Sequence, residues 1–220
     1  FRSKHRISGP MVLFLGRKTK EKGVVRLIEA WPFVAQKFPE AILVFAGPKN
    51  PDFEKLKPEK LKSETVISES ESSKPAREPQ GTSLATSYPL PVTAPRARVL
   101  NLNDLSEGEK QDALAASDVL CVPSEGESFG MVYYEAWAYK KPVVALALPV
   151  LRESIGLVKG GLLANSQTES IIDSLTALLA DSALRILMGE NGYKLAQKHR
   201  WQEALESYFK IYHSNGFIFQ

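Results

Sequence analysis

A chain of 220 residues, 44% of them apolar, is long enough for one sizeable domain or two small ones with a buried core. Its formal net charge of +3 is well short of a nucleic-acid-binding footprint and argues against DNA and RNA as partners. No apolar run reaches the roughly 18 residues that a membrane span needs, and the one cysteine, Cys121, cannot form an internal disulfide. Cys121 lies in the apolar run Asp118-Val-Leu-Cys-Val122 and reads as a small core residue, which fits a reducing compartment. No secretory leader is visible and the chain opens on Phe1-Arg2-Ser3-Lys4-His5, so it reads as a piece of something longer. The expectation is a cytoplasmic protein, with membrane association left open.

Taken in order, the chain alternates strands and helices. Residues 1–10 read as the end of a linker, and residues 11–15 are a short apolar run closed by Gly16, the mark of a buried strand. Val24, Leu27, Ile28, Trp31, Val34, Ala35 and Phe38 recur at helical spacing from about Lys22 until Pro39. Residues 42–46 form a second buried run, ended by Gly47-Pro48. From about 49 to 95 the composition turns to Ser, Pro, Glu and Lys, with acidic and basic residues in balance. Such a stretch buries too little to offset its ordering entropy and reads as a flexible insertion, with a short helix over 53–62 as an option. A third strand is expected at 98–102. Ser106-Glu-Gly-Glu109 is a capping box opening a helix to about 117.

The fourth strand is expected at 119–122, stopped by Pro123, with a helix over 130–139 after the loop. A fifth strand at 142–146 and a short sixth at 161–164 follow. Ser166-Gln-Thr-Glu169 reads as a second capping box for a helix to about 180, and helices over 182–198 and 202–213 precede a tail at 215–220. Strands separated by helices predict an α/β domain spanning 11–214, with a Rossmann-like parallel sheet flanked by helices. Ligands of such sheets sit at the carboxyl ends of the strands, so the loops there are the ones to search.

The loop after the first strand is Gly16-Arg-Lys-Thr-Lys-Glu-Lys-Gly23. Gly16 permits close backbone approach, Arg17 can grip phosphate oxygens in a bidentate fork, and Lys22 stands where the next helix begins. A solvated, charged turn explains the same letters. The loop after the fourth strand runs Pro123-Ser-Glu-Gly-Glu-Ser-Phe-Gly-Met-Val-Tyr-Tyr-Glu135. Gly130 at a strand-to-helix junction exposes amides at a helix N-terminus, which attract anions. Glu127 precedes that helix and Glu135 lies within it; a carboxylate can accept two hydroxyl hydrogen bonds at once, as a sugar diol requires. Dipole complementation by Glu127 and simple surface exposure of Glu135 are the plainer alternatives. Together the loops offer cations, amides and carboxylates to one crevice, the set that a diphosphate joined to sugars would use.

The blocks Phe14-Leu15-Gly16-Arg17, Lys22-Gly23, Glu127-Ser-Phe-Gly-Met-Val-Tyr-Tyr-Glu135, Glu135-Ala-Trp-Ala138 and Lys141-Pro-Val-Val-Ala145 resemble the retaining GT-B glycosyltransferases of the family-four type, the glycosyl transferases group 1. The likeness covers residues 12–46 and 99–212 and includes that family's Glu-x7-Glu motif. It implies the C-terminal, donor-binding half of a GT-B fold and transfer of a hexosyl group from a nucleotide-diphosphate sugar to an acceptor hydroxyl with retained configuration. Implied catalytic residues are Glu127, facing the transferred sugar, with Arg17 and Lys22 on the diphosphate. Implied donor-binding residues are Gly16, Phe129, Gly130, Met131 and Val132 by their backbone, and Glu135 on the ribose hydroxyls.

No cofactor and no metal are implied, and His5, His199 and His213 are scattered along the sequence. The implied partners are the donor, a sugar, lipid or glycan acceptor, and an N-terminal GT-B domain that has no counterpart in this chain. Peripheral membrane contact would come through that half, against which residues 201–220 would pack, and the domain alone is expected to transfer little. Four departures stand out: Ser128 and Lys140 where the family commonly has Gly, Ala147-Leu-Pro-Val-Leu-Arg-Glu153 without its usual Gly-Gly pair, and the insertion near the expected base pocket at Gly47-Pro48 and residues 102–105. These leave two alternatives, a catalytically degenerate binding or interaction module and a GT-B sugar-nucleotide epimerase.

Overall fold

The computed structural model describes residues 1–51, 53, 66–67, 97–199 and 201–214. The expected helix over 53–62, most of the insertion and the tail at 215–220 lie outside them. Among the described residues seven strands form one parallel sheet: β1 (Met11–Leu15), β2 (Ile42–Gly47), β3 (Val66–Ile67), β4 (Arg98–Asn103), β5 (Val119–Val122), β6 (Val143–Leu146) and β7 (Gly161–Ala164). Their order is β3-β4-β2-β1-β5-β6-β7. Six of the strands fall where the apolar runs predict them. The seventh, β3, falls in the stretch whose composition marks it as insertion; it is a two-residue edge strand whose Val66 and Ile67 pair with Val99 and Leu100. Two β-branched residues among polar neighbours gain a strand only from that long-range pairing.

The helices are α1 (Val24–Lys37), α2 (Glu107–Ala116), α3 (Met131–Ala138), the single turn α4 (Pro149–Leu151), α5 (Thr168–Ala180), α6 (Ser182–Lys198) and α7 (Trp201–Ser214). Strand order reverses direction between β1 and β5, so right-handed crossovers place α1 on one face and α2 and α3 on the other. Helix α5 packs on α1, and α6 on α3. Strands β1, β5 and β6 are buried at every position, as a sheet covered on both faces requires. Two fully buried indoles anchor the layers, Trp31 donating to the Arg98 carbonyl at 3.0 Å and Trp137 to that of Gly160 at 2.9 Å.

Local chemistry sets the helix ends. Helix α1 begins two residues after Lys22 because Gly23 takes a left-handed conformation as its N-cap. The Ser106 capping box forms in both directions, Glu109 N–H to Ser106 Oγ and Ser106 N–H to the Glu109 carboxylate. Ser106→Ala is expected to cost about 1 kcal/mol in urea unfolding. The box expected at Ser166 does not form: α5 starts at Thr168 with no side-chain cap. There Asn165 Oδ1 takes the Gln167 N–H at 2.8 Å and Ser170 Oγ takes that of Asn165 at 3.1 Å, a local turn that competes with the cap. After β6, where the sequence suggests a loop, Pro149 opens α4 as its first residue and the chain continues into a π-helical turn, Arg152–Gly156.

The first ten residues are tied to the domain. Arg2 binds Asp118 at 2.6 Å and the carbonyls of Ala116 and Gly9, and Ile7 is buried. At the other end α7 is exposed at every position from 205 to 214. Among the described residues no helix is long and apolar enough to cross a membrane.

Candidate functional site

The switch in strand order sets the carboxyl ends of β1 and β5 side by side, where open α/β sheets bind ligands. Two loops meet there, residues 16–23 after β1 and 123–130 after β5. Glu125 N–H donates to the Glu21 carbonyl at 2.8 Å, and Ser124 Oγ reaches the same oxygen at 3.4 Å. Gly23 lies against Pro123; a Cβ on it would stand 2.1 Å from the Pro123 carbonyl oxygen. A second tie runs from Arg26 on α1 to Glu125 at 2.6 Å.

This contact brings Lys22 to Glu127, Nζ to Oε1 at 2.6 Å, with the Glu127 side chain only 10% exposed. Tyr133 stands close by, its hydroxyl donating to the Val122 carbonyl at 2.8 Å. Burial, and then the negative charge of Glu127, push the Tyr133 phenol far above its ordinary pKa, so it serves as a neutral donor.

Helix α3 begins at Gly130, with φ 80° and no side-chain cap, so its first amides lack an intrahelical partner. Any larger residue would be strained there, and its Cβ would meet the Tyr133 ring at 2.6 Å. Phe129 stacks on Tyr134 at 4.9 Å between ring centroids, and the His199 ring at the end of α6 meets both edge-on. Phe129 and Met131 are exposed, Val132 half-buried.

The remaining expected residues are placed differently. Arg17 is exposed; its carbonyl accepts the Thr19 N–H at 2.9 Å, and among the described residues its guanidinium makes no hydrogen bond or ion pair. Gly16 borders open space, with no atom within 4 Å of where a Cβ would stand. Glu135 does not join Glu127 on a shared cation; it pairs with Lys110 of α2 at 3.1 Å.

Two lysines matter here that the sequence alone does not single out. Lys18, in what reads as a solvated turn, is fully buried and donates to Asn101 Oδ1 and the Leu102 carbonyl, each at 2.8 Å. It fastens the loop after β1 to the end of β4. Lys110 carries no local signal linking it to Glu135.

The departures have physical accounts. Ser128 is not among the residues with positive φ, so a side chain costs its backbone nothing. Lys140 does take a left-handed conformation, φ 57°, and its ammonium binds Glu190 at 2.7 Å and lies 5.0 Å from the Tyr193 ring centroid. Without a Gly-Gly pair, the segment after β6 buries Leu151 within reach of Gly130. Glu153 is exposed. The loops named for the base are joined by Asp104, which takes the Lys49 N–H at 3.2 Å and gives its own N–H to Gly47 at 3.3 Å. Among the described residues no three His, Cys, Asp or Glu gather in a way that could hold a metal ion.

The family model of the glycosyl transferases group 1 matches residues 1–68 and 94–195. A D-inositol 3-phosphate glycosyltransferase of Corynebacterium urealyticum is 28% identical over 213 residues, 94% of this chain and 44% of that protein. Among solved structures, sucrose-phosphate synthase of Thermosynechococcus elongatus superposes with a TM-score of 0.71 at 22% identity, over 97% of this chain and 47% of that one. The C-terminal domain of a glycosyl transferase group 1 family protein of Francisella tularensis gives 0.67 at 24% identity, over 90% of this chain and 89% of that domain. The chain thus spans about half the length of the full-length proteins it matches, and its fold is the C-terminal half of a GT-B fold.

Proposed function

The chain belongs to the glycosyl transferases group 1, and from that premise we propose that it is the donor-binding domain of a retaining hexosyltransferase. The observation that carries the reading is the meeting of Lys22 and Glu127 beside the uncapped N-terminus of α3, at the switch point of the sheet. A nucleoside diphosphate joined to a hexose uses each part of that arrangement. Arg17 and Lys22 neutralise the diphosphate, which carries the growing negative charge as the glycosidic bond breaks. The amides of residues 129–132 face the sugar and distal phosphate, where preorganised dipoles stabilise developing charge without rearranging. Glu127, on the sugar side, balances the oxocarbenium-like centre, and Glu135 accepts the ribose hydroxyls. Base contacts come from the joined loops at Gly47 and Asp104. No metal enters this scheme, because the cations are side chains.

Transfer to an acceptor hydroxyl needs a second domain closing over the site. The exposed face of α7, with Leu205, Tyr208, Phe209 and Tyr212 at helical spacing, is its docking surface in this reading, and the isolated chain transfers little.

Titration of the chain with UDP, GDP and their hexose conjugates, followed by thermal unfolding, tests the reading. One nucleotide should raise the melting temperature by mass action. Arg17→Ala should cost about 1.5–3 kcal/mol of binding, the worth of a charge-assisted bond to phosphate, and Glu135→Ala should also weaken it. No stabilisation of the wild type, or stabilisation that both variants retain, overturns the proposal.

A further inference from the structure

Lys110 belongs to α2, which precedes β5 and lies beside α3. Its Nζ is 3.1 Å from Glu135 Oε1 and 3.3 Å from Glu107 Oε1, one turn earlier on its own helix. The three side chains differ in exposure, 26% for Lys110, 34% for Glu135 and 69% for Glu107. The bond between helices is therefore the more sheltered one, and the exposed Glu107 contact on the solvent side contributes little.

Both ends of the bond are fixed by other parts of the fold. The start of α2 is set by the Ser106 capping box, whose Glu109 also binds Lys4 at 2.9 Å. The start of α3 is set by Gly130. Burial works against the Lys110 charge, but its bonds to Glu135 and Glu107 outweigh that and raise its pKa above the ordinary lysine value. A raised lysine pKa means that the bond is complete at neutral pH and is lost only as pH climbs through that raised value.

Among the described residues Lys110 is the one hydrogen-bond partner of the Glu135 carboxylate, and it engages a single oxygen of it. A glutamate side chain is otherwise free to sample many rotamers, and ordering it on binding weakens affinity. Held by Oε1, the carboxylate keeps Oε2 and the second lone pair of Oε1 for hydroxyl donors.

We propose that Lys110 is a positioning residue for the ribose end of the nucleotide, orienting the Glu135 carboxylate to receive the vicinal 2′ and 3′ hydroxyls without touching the ligand itself. This rests on the assignment of Glu135 to the ribose given above. It makes discrimination between ribose and deoxyribose a property of two helices, with Lys110 supplying order and Glu135 supplying contact.

The experiment is calorimetric titration of the full chain with UDP and GDP and with their 2′,3′-dideoxy counterparts. For the nucleotide that binds, Lys110→Met should weaken the ribose form about 5–10-fold, the upper part of what one ordinary hydrogen bond contributes. It should leave the dideoxy form within about twofold of wild type, on the same scale. Lys110→Arg should restore most of the preference, and Glu107→Gln should leave it in place. Thermal unfolding of each variant records any loss of fold, which would weaken both forms alike.

Equal loss for ribose and dideoxy forms, or no loss, overturns the inference. If Glu135→Ala keeps the wild-type preference, or if wild type binds neither nucleotide, the reading of the site itself fails and the inference falls with it. If Glu135→Ala abolishes the preference and Lys110→Met does not, the site reading stands and only the role of Lys110 is overturned.

Discussion

Lys22→Ala will weaken nucleoside-diphosphate binding by about 10–150-fold, the equivalent of one charge-assisted bond, and Lys22→Ala/Glu127→Ala will recover part of that loss. In the free chain Lys22 and Glu127 are 2.6 Å apart, and the Glu127 side chain is 10% exposed. Removing the lysine alone takes a cation from the diphosphate and strands a sheltered carboxylate beside the place where phosphate must sit. Breaking one partner of such a pair costs more than removing both, because the remaining charge keeps its desolvation penalty. The single variant should therefore also lose stability in urea, with the double variant closer to wild type. Transfer by an intact enzyme should go the other way. The double variant binds UDP or GDP better than the single one yet stays inactive, because Glu127 serves the sugar and not the phosphates. Calorimetry on the three proteins decides: a double variant that binds no better than Lys22→Ala means that Glu127 does not repel the ligand, and this account fails.

Much of the fold was legible because a buried parallel strand leaves a plain trace. The runs at 11–15, 42–46 and 119–122 are continuous, short and closed by Gly or Pro, and each is a strand in the structure. The Ser106 capping box was equally legible. The same letter pattern at Ser166 was not reliable, because Asn165 just ahead of it offers the backbone another acceptor and the chain takes that turn instead. What the sequence hid depends on distant partners. Lys18 reads as one charge among five, yet Asn101 and Leu102, more than eighty positions later, bury it. Val66 and Ile67 become a strand only because β4 is there to pair with. The site was half legible in the same sense. The spacing of Glu127, Gly130 and Glu135 placed them around one helix start. That Glu127 meets Lys22 while Glu135 meets Lys110 follows from how the loops and helices pack.

Gly23→Ala will destabilise the chain by about 2–6 kcal/mol, one of the largest effects open to a single methyl group here. Two costs add. At φ 82° an alanine would sit in the left-handed region, worth about 1–2 kcal/mol for a residue with a Cβ. That Cβ would also stand 2.1 Å from the Pro123 carbonyl oxygen and 2.7 Å from its ring, so the backbone of one loop or the other must move. Overpacking of this kind costs about 1–3 kcal/mol and can exceed it where no flexible side chain can yield. Gly126→Ala is the matched control in the facing loop: no atom lies within 4 Å of its added Cβ and its φ is not positive. It should stay within about 0.5 kcal/mol of wild type.

Urea unfolding measures the difference, and nucleotide titration well below the melting temperature shows what it does to the site. The close approach of Gly23 to Pro123 holds the two loops together, with Glu125 seated on Glu21 and Lys22 brought to Glu127. Separating the loops should weaken diphosphate binding even in molecules that remain folded. Full affinity in folded Gly23→Ala would mean that the loop packing serves stability alone and that the cations find the phosphates without it.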